Sequence, residues 1–353
     1  MTPQETPSFS ELGGWPFILG RLVGGNDLSA DEAAAALSEI LSGSAASAQI
    51  AAFAVALRMK GETVEEMTAL VRTMLAHAEA VPVPDEMDLV DTCGTGGDRS
   101  RSVNVSTMAA LVVAGAGAPV CKHGNRAMSS LAGSADVLEA LGVVVDLGPT
   151  AVLRCLEQAG MAFCFAPRFH PALRHAGPTR RELGVATVFN FLGPLANPAR
   201  PRRQVVGVSN PAMAHKMLGV LEANGATHAL VVYGHDGLDE LTTTTTSTMV
   251  EVVDGAVRSV VVDPRDLGLE RAAPEDLHGG DASTNAELTR RVLAGEKGPH
   301  RDVVVLNAAA GIVAAGLAEG LEEGLGAAQL SLDEGRAADV LARLVKTTQE
   351  MAA

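Results

Sequence analysis

Three stretches of the chain carry residues suited to a phosphorylated substrate. The first, DTCGTGGDRSRSVNVST (91–107), runs from an apolar segment through three glycines into a helix start. Glycines let a ligand approach the backbone, and a helix N-terminus offers unpaired N–H groups to anionic oxygens. Two familiar phosphate loops do not fit it. A Walker A loop needs Lys then Ser or Thr after its last glycine, where Asp98-Arg99 stands. A dinucleotide fingerprint beginning at Gly94 needs glycine at position 99. Asn104, Ser106 and Thr107 surround the helix start, each able to cap an orphan N–H or bond a ligand oxygen.

The charge around this loop favours a ligand. From Arg99 through Ala135 there is no Asp or Glu, yet Arg99, Arg101, Lys122 and Arg126 are present in a chain of formal net charge −15. The stretch includes most of a second loop, KHGNRAMSSLAGSAD (122–136). Parallel strands bring such loops together at their carboxyl ends, where open α/β sheets bind ligands. The pair is expected to hold an extended polyanion. His123 could act as acid or base, or equally as a hydrogen-bonded structural histidine. A third cluster without acids holds Arg168, His170, Arg174, His175, Arg180 and Arg181. Each arginine is either solvated surface charge or a bidentate partner for a carboxylate. In GHDGLDELTTT, Asp236, Asp239 and Glu240 form either a solvated acidic turn or, facing a polyanion, a site for Mg²⁺. That ion commonly takes one or two carboxylates plus substrate phosphates. Asp98 would then meet ribose or metal-bound water.

The elements that position these residues fall into two groups. Residues 15–80 read as helices. DLSADEAAAALSEILSG has a cap at Ser29 and a closing Gly43, and SAQIAAFAVALRMKG and TVEEMTALVRTMLAHA repeat the pattern. AVPVPDEM marks a boundary. Beyond it, the strands DLVDTCG, APVCKHG, THALVVYG, MVEVVDG and VRSVVVD are interspersed with helices such as STMAALVVAGAG and GSADVLEALG. This pattern predicts an α/β fold with a mostly parallel central sheet flanked by helices. RDVVVLNAAAGIVAAG starts as a strand or a buried helix, and the threonines of LTTTTTSTM read as strand. HPALRHAGPTRRELGVATVFNFLGPLANPARPR breaks the alternation and is expected to return to the helical part. The predicted division is a small all-helical domain of 1–86 with 171–197, and a large α/β domain of 87–170 with 198–353.

Composition narrows the partners. The 353 residues are 47% hydrophobic and 20% charged, enough apolar content for well-buried cores. Aromatics are only 3%, so base-stacking platforms are poorly supplied, and the net charge repels nucleic acid and anionic membranes. Neither is an expected partner. MTPQETPSFSELGG lacks the apolar region of a signal peptide, and no stretch reaches membrane-spanning length without charges. Cys93, Cys121, Cys155 and Cys164 form no CxxC pair and read as buried core residues in a reducing cytoplasm.

Taken together, GTGGD, NVST, KHGNRAMSS, HPALRHAGPTRRELG, FNFLGPLANPARP, GLDEL, GGDASTNAELTRRVLAGEKGP and LNAAAGIVAAGL make the chain resemble the anthranilate phosphoribosyltransferases of tryptophan biosynthesis, over nearly its whole length. The resemblance implies transfer of 5-phosphoribosyl from its pyrophosphate to the anthranilate amine. It implies a phosphoribosyl pyrophosphate site of Gly94, Gly97, Asp98, Ser102, Asn104, Ser106, Thr107, Lys122, Asn125, Arg126, Ser129, Ser130 and Ser134. Anthranilate would meet Gly94, Asn125 and Arg180, and Mg²⁺ would be held by Ser106, Asp239 and Glu240. It also implies a homodimer associated through the small helical domain. Two positions depart from the family pattern: Arg99 stands for its usual Gly and Ser102 for its usual Thr. Alternatives are a relative acting on another aromatic or base substrate, such as a nucleoside phosphorylase, or a non-catalytic nucleic-acid-binding paralogue.

Overall fold

Four helices open the computed structural model, which describes residues 8–98, 100–127 and 131–352: α1 (Gly14–Val23), α2 (Ala30–Leu41), α3 (Ser47–Lys60) and α4 (Val64–Ala76). The signal read at Ser29 is a full capping box. Ser29 Oγ accepts from Glu32 N at 3.2 Å, and the Glu32 carboxylate accepts from Ser29 N at 2.8 Å. Thr63 and Glu66 start α4 in the same way, and each such cap contributes about 1 kcal/mol.

After β1 (Val90–Gly94) the chain alternates: α5 (Val105–Gly115), β2 (Val120–Gly124), α6 (Ser134–Ala140), α7 (Pro149–Ala159), β3 (Met161–Phe165) and the single turn α8 (Ala166–Phe169). It then passes through α9 (Gly177–Leu183) and α10 (Val188–Leu195) before β4 (Arg203–Gly207), α11 (Ala214–Ala223), β5 (His228–Gly234), β6 (Ser247–Val253) and β7 (Ala256–Val262). Four helices close it: α12 (Ala282–Leu293), α13 (Pro299–Ala314), α14 (Leu321–Asp333) and α15 (Arg336–Ala352). The seven strands form one sheet in the order β3-β2-β1-β4-β5-β6-β7. The first five in that order run parallel, β6 runs antiparallel to β5, and β7 antiparallel to β6.

Strand alternation sends successive side chains to opposite faces, and here it divides two cores. Leu230 and Val232 of β5 join a core with α5, α13 and α15, whereas Ala229 and Val231 face the other way. That second core contains α11 and the bundle residues Trp15, Ile18, Phe53 and Leu70. The interrupting segment packs there too, through Ala176, Val188, Phe189, Phe191 and Leu192. The helical bundle thus shares one core with one face of β4–β6, and the long segment 177–195 lies inside it.

One strand reading changes, and one open reading closes on its helical alternative. The threonine run is not a strand: β6 begins only at Ser247. The Thr242 and Thr244 hydroxyls both donate to Asp236, and Thr242 N donates to Ser247 Oγ at 2.9 Å, so local side-chain bonds bend the backbone out of the ladder. RDVVVLNAAAGIVAAG is the buried helix α13. β3 and β4, each only five residues long, escaped the strand reading.

Candidate active site

β1 lies between β2 and β4, so the chain's progression across the sheet reverses at the β1/β4 edge. The carboxyl ends there form the crevice in which open α/β sheets bind ligands. The described parts of three segments converge: 94–98 and 100–104 after β1, 124–127 and 131–134 after β2, and 234–240 after β5.

The β5 segment supplies a buried acidic pair, Asp239 at 8% and Glu240 at 9% exposure. Its seat explains two strand-ending glycines. A Cβ on Gly94 would lie 2.5 Å from Asp239 Oδ2, and one on Gly207 would lie 1.6 Å from the Asp239 carbonyl oxygen. Gly96 N donates to Asp239 Oδ2 at 2.6 Å. Burial first, and then the neighbouring Asp98, raise the Asp239 carboxyl to about 7. Burial and Asp239 push Glu240 well above the usual carboxylate range, against the opposing pull of Lys122 and the backbone N–H of Ser106. Lys122 is 2% exposed; its ammonium donates to Thr92 O and, at 3.2 Å, to Ser106 Oγ. Ser106 and Lys122 therefore meet the acidic pair, and Asp98 faces Asp239.

This cluster is short of positive charge. Mg²⁺ fits a donor set of two carboxylates and a hydroxyl. Among the described residues no three His, Cys, Asp or Glu side chains converge to hold a metal alone, so substrate or water oxygens would complete the shell, as is usual for this ion.

The first loop is built for close approach. Gly96 and Gly97 carry φ of 66° and 83°, which glycine adopts without the strain of a side chain. Ser100 Oγ donates to Asp98 Oδ2 at 2.7 Å and to Ser102 Oγ at 3.0 Å. Asn104 precedes α5 but makes no side-chain cap; its Nδ2 donates to Ala132 O at 3.1 Å, tying the first loop to the second. Thr107 is buried within α5.

In the second loop Ser134 Oγ donates to Asn125 O at 3.2 Å. Arg126 does not stand free: it donates to Asp136 at 3.0 Å and Glu139 at 2.6 Å, acids just past the stretch that has none. Those hydrogen bonds, Glu139's first, hold its guanidinium above the ordinary arginine value. Arg99, Ser129 and Ser130 lie outside the described residues.

Gly94, Asn125 and Arg180 line one cavity of about 190 Å³ together with Met74, His123 and Phe189. That is below the roughly 300–1,000 Å³ of drug-sized sites and on the scale of one substituted aromatic ring. Arg180 lies over the Phe189 ring at 5.4 Å, and burial lowers its pKa. Among the described residues no carboxylate pairs with it. Arg168, by contrast, donates to Glu79 at 2.8 Å. His123 Nδ1 donates to Gly193 O at 3.1 Å, and burial, then His170, lower its pKa to about 3. It is a neutral histidine. A larger cavity of about 500 Å³ lies at the amino ends of β4 and β5, lined by Arg72, Gln204 and Asn224 among others, and none of the candidate residues reaches it.

Sequence reasoning missed Asp91 and Asn285. Asp91 is fully buried, accepting from His123 N at 3.2 Å and Asn197 Nδ2 at 2.9 Å, and burial raises it to about 6. An acid inside a strand was its signal. Asn285 Nδ2 donates to Asn104 Oδ1 at 2.8 Å, and the paired glycines ahead of α12 were the only hint of it.

Residues 86–338 match the glycosyl transferase family a/b domain, and residues 17–78 match the helical bundle domain of the same family. The anthranilate phosphoribosyltransferase of Rhodococcus jostii (strain RHA1) is 56% identical over 344 residues, covering 96% of this chain and 94% of that protein. Its counterpart in Mycobacterium leprae (strain Br4923) is 50% identical over 360 residues, covering 99% and 98%. The crystal structure of anthranilate phosphoribosyltransferase from Thermus thermophilus superposes with a TM-score of 0.89 at 43% identity, covering 94% of this chain and 99% of that one. The Saccharomyces cerevisiae enzyme in complex with PRPP and Mg, 24% identical with a TM-score of 0.86, shares the fold over 98% of this chain and 100% of its own. On this sequence and fold agreement, the chain belongs to the anthranilate phosphoribosyltransferase family.

Proposed function

We propose that the chain transfers the 5-phosphoribosyl group of phosphoribosyl pyrophosphate to the amine of anthranilate and releases pyrophosphate. The observation that carries this reading is the adjacency of two unlike half-sites. Strand-end loops beside a buried acidic cluster suit a magnesium pyrophosphate, and a ring-sized cavity with an arginine that no described carboxylate pairs suits an aromatic acid. Gly94 lines the boundary between them.

On the donor side, Gly94, Gly97, Asp98, Ser102, Asn104, Ser106, Thr107, Lys122, Asn125, Arg126 and Ser134 are the proposed contacts, with Ser129 and Ser130 in the same loop. Ser106, Asp239 and Glu240 would hold Mg²⁺, which when bound stabilises charge on departing pyrophosphate. Lys122 offsets the acidic pair and fixes Ser106 Oγ, so much of its work is to organise the cluster. On the acceptor side, Arg180 grips the carboxylate and Asn125 lies beside it. The aromatic amine is neutral and nucleophilic, so no base is required before attack. Fixing both substrates could supply up to ~7–11 kcal/mol of the barrier, and enclosure of the cleft keeps water from competing.

The family's homodimer is proposed to form through the helical bundle, where Phe17, Val23 and Met59 are 44%, 80% and 83% exposed. A cytoplasmic location agrees with four free, buried cysteines. Among the described residues no helix is long and apolar enough to cross a membrane. Incubation with phosphoribosyl pyrophosphate, Mg²⁺ and anthranilate should quench anthranilate fluorescence and release one pyrophosphate per anthranilate consumed. Phosphorolysis of thymidine without anthranilate consumption would overturn the reading.

A further inference from the structure

The stretch LHGGDASTN (277–285) braces both donor loops. Leu277 O accepts from Val103 N at 3.0 Å, Gly279 N donates to Arg101 O at 2.8 Å, and Ser102 and His278 form an antiparallel bridge. The clamped loop includes Arg101 at φ 56°, a left-handed conformation that side chains other than glycine's seldom adopt. The brace then turns into α12, where Asp281 Oδ1 accepts from Thr284 N at 2.8 Å.

Asn285 sits one turn into α12 and is 2% exposed. Its Oδ1 accepts from Gly280 N at 2.7 Å, and its Nδ2 donates to Asn104 Oδ1 at 2.8 Å. Gly279 is glycine because a Cβ there would lie 2.4 Å from Asn285 Oδ1. An asparagine amide has two donors and two acceptor positions. Asn285 takes one acceptor position of Asn104, and Ala132 O takes one donor, which leaves one N–H of Asn104 with a defined direction. Further along α12, Arg290 donates to Ala140 O at 3.0 Å, so the same helix also holds the end of α6 behind the second loop.

We propose that Asn285 is a positioning residue for donor binding: it fixes the amide of Asn104 and with it the spacing of the two strand-end loops. This rests on the donor-loop reading above. Asn285→Asp keeps the acceptor for Gly280 N but sets an ionised oxygen against Asn104 Oδ1; when protonated, that carboxyl can donate again. Steady-state kinetics should show Asn285→Ala and Asn285→Asp raising the phosphoribosyl pyrophosphate KM at least tenfold, with the anthranilate KM within twofold of the parent. From about pH 8 to about pH 6 the Asp variant should recover toward the parent and the Ala variant should not. An equal rise in both KM values, or a loss of Tm with unchanged KM, would make Asn285 merely structural and overturn the proposal. So would a donor KM within twofold in Asn285→Ala while Asn104→Ala raises it. An unchanged donor KM in Asn104→Ala itself would sink the donor-loop reading, and this proposal with it.

Discussion

The two halves of the site are unbalanced in opposite senses. On the donor side, Asp98, Asp239 and Glu240 crowd together with one buried cation, Lys122, and the raised carboxyls register the shortage of positive charge. On the acceptor side, Arg180 is half-buried over an aromatic ring with no carboxylate of the described residues against it, and burial keeps the nearby His123 neutral. Each half holds charge that the protein itself does not compensate. A cation completes one and a carboxylate completes the other, so the stored imbalance is a description of the substrates. Arg126 and Arg168, by contrast, are both held in ion pairs with acids of the chain.

The largest effect should come from the acidic half. Asp239→Asn with Glu240→Gln should lower kcat on the order of 100- to 1,000-fold at limiting Mg²⁺ while raising Tm by a few degrees, roughly, because buried like charges are removed. Turnover assays over a magnesium series, beside thermal melts, test both limbs. A rate within threefold of the parent would remove this pair from the metal site and dissolve the comparison.

How much of this was visible beforehand depends on the distance over which each feature is encoded. The Ser29 cap, the glycine-rich turn after β1 and the helix following it are local, and were legible. So was the adjacency of the β1 and β2 loops, because parallel topology forces it. The acid-free stretch was a weaker guide: Asp136 and Glu139 reach back to Arg126, and Asp91 of β1 and Glu240 of the segment after β5 act on Lys122 from elsewhere in the chain. Sequence distance said little about the field at those cations. The threonine run misled because strand propensity was weighed without the hydroxyl bonds to Asp236, eight residues or fewer away. Asn285 was hidden for the opposite reason. Its partner, Asn104, lies 181 residues earlier, and only the fold joins them.

A smaller effect belongs to the cationic half. Arg180→Ala should raise the anthranilate KM about 10- to 100-fold, the range for losing a charge-assisted bidentate pair of about 1.5–3 kcal/mol. The donor KM should stay within twofold. Kinetics with each substrate varied in turn decide it, and equal changes in both would end the carboxylate role. Arg180→Lys should recover only part, since an ammonium cannot grip both oxygens in one plane.

The mildest test asks which half titrates near neutrality. Asp239 is held near 7, by burial first and Asp98 second, so its proton must leave before a cation binds. The apparent Kd for Mg²⁺ should therefore rise up to about tenfold per pH unit below that value. The sign for stability is the reverse. A carboxyl whose folded value lies above its unfolded one favours the fold while protonated, and that contribution fades as pH rises through about 7; magnesium should offset the loss at pH 8. His123 and His170, lowered by burial to about 3 and about 4, stay neutral over the same range, and Arg180 stays charged. At saturating Mg²⁺ the anthranilate KM should thus be flat from about pH 8 to about pH 6, whereas calorimetric magnesium affinity should fall. If the anthranilate KM follows the pH limb instead, and His123→Asn abolishes that limb, the titrating group lies in the acceptor pocket and the division between an acidic and a neutral-cationic half is wrong.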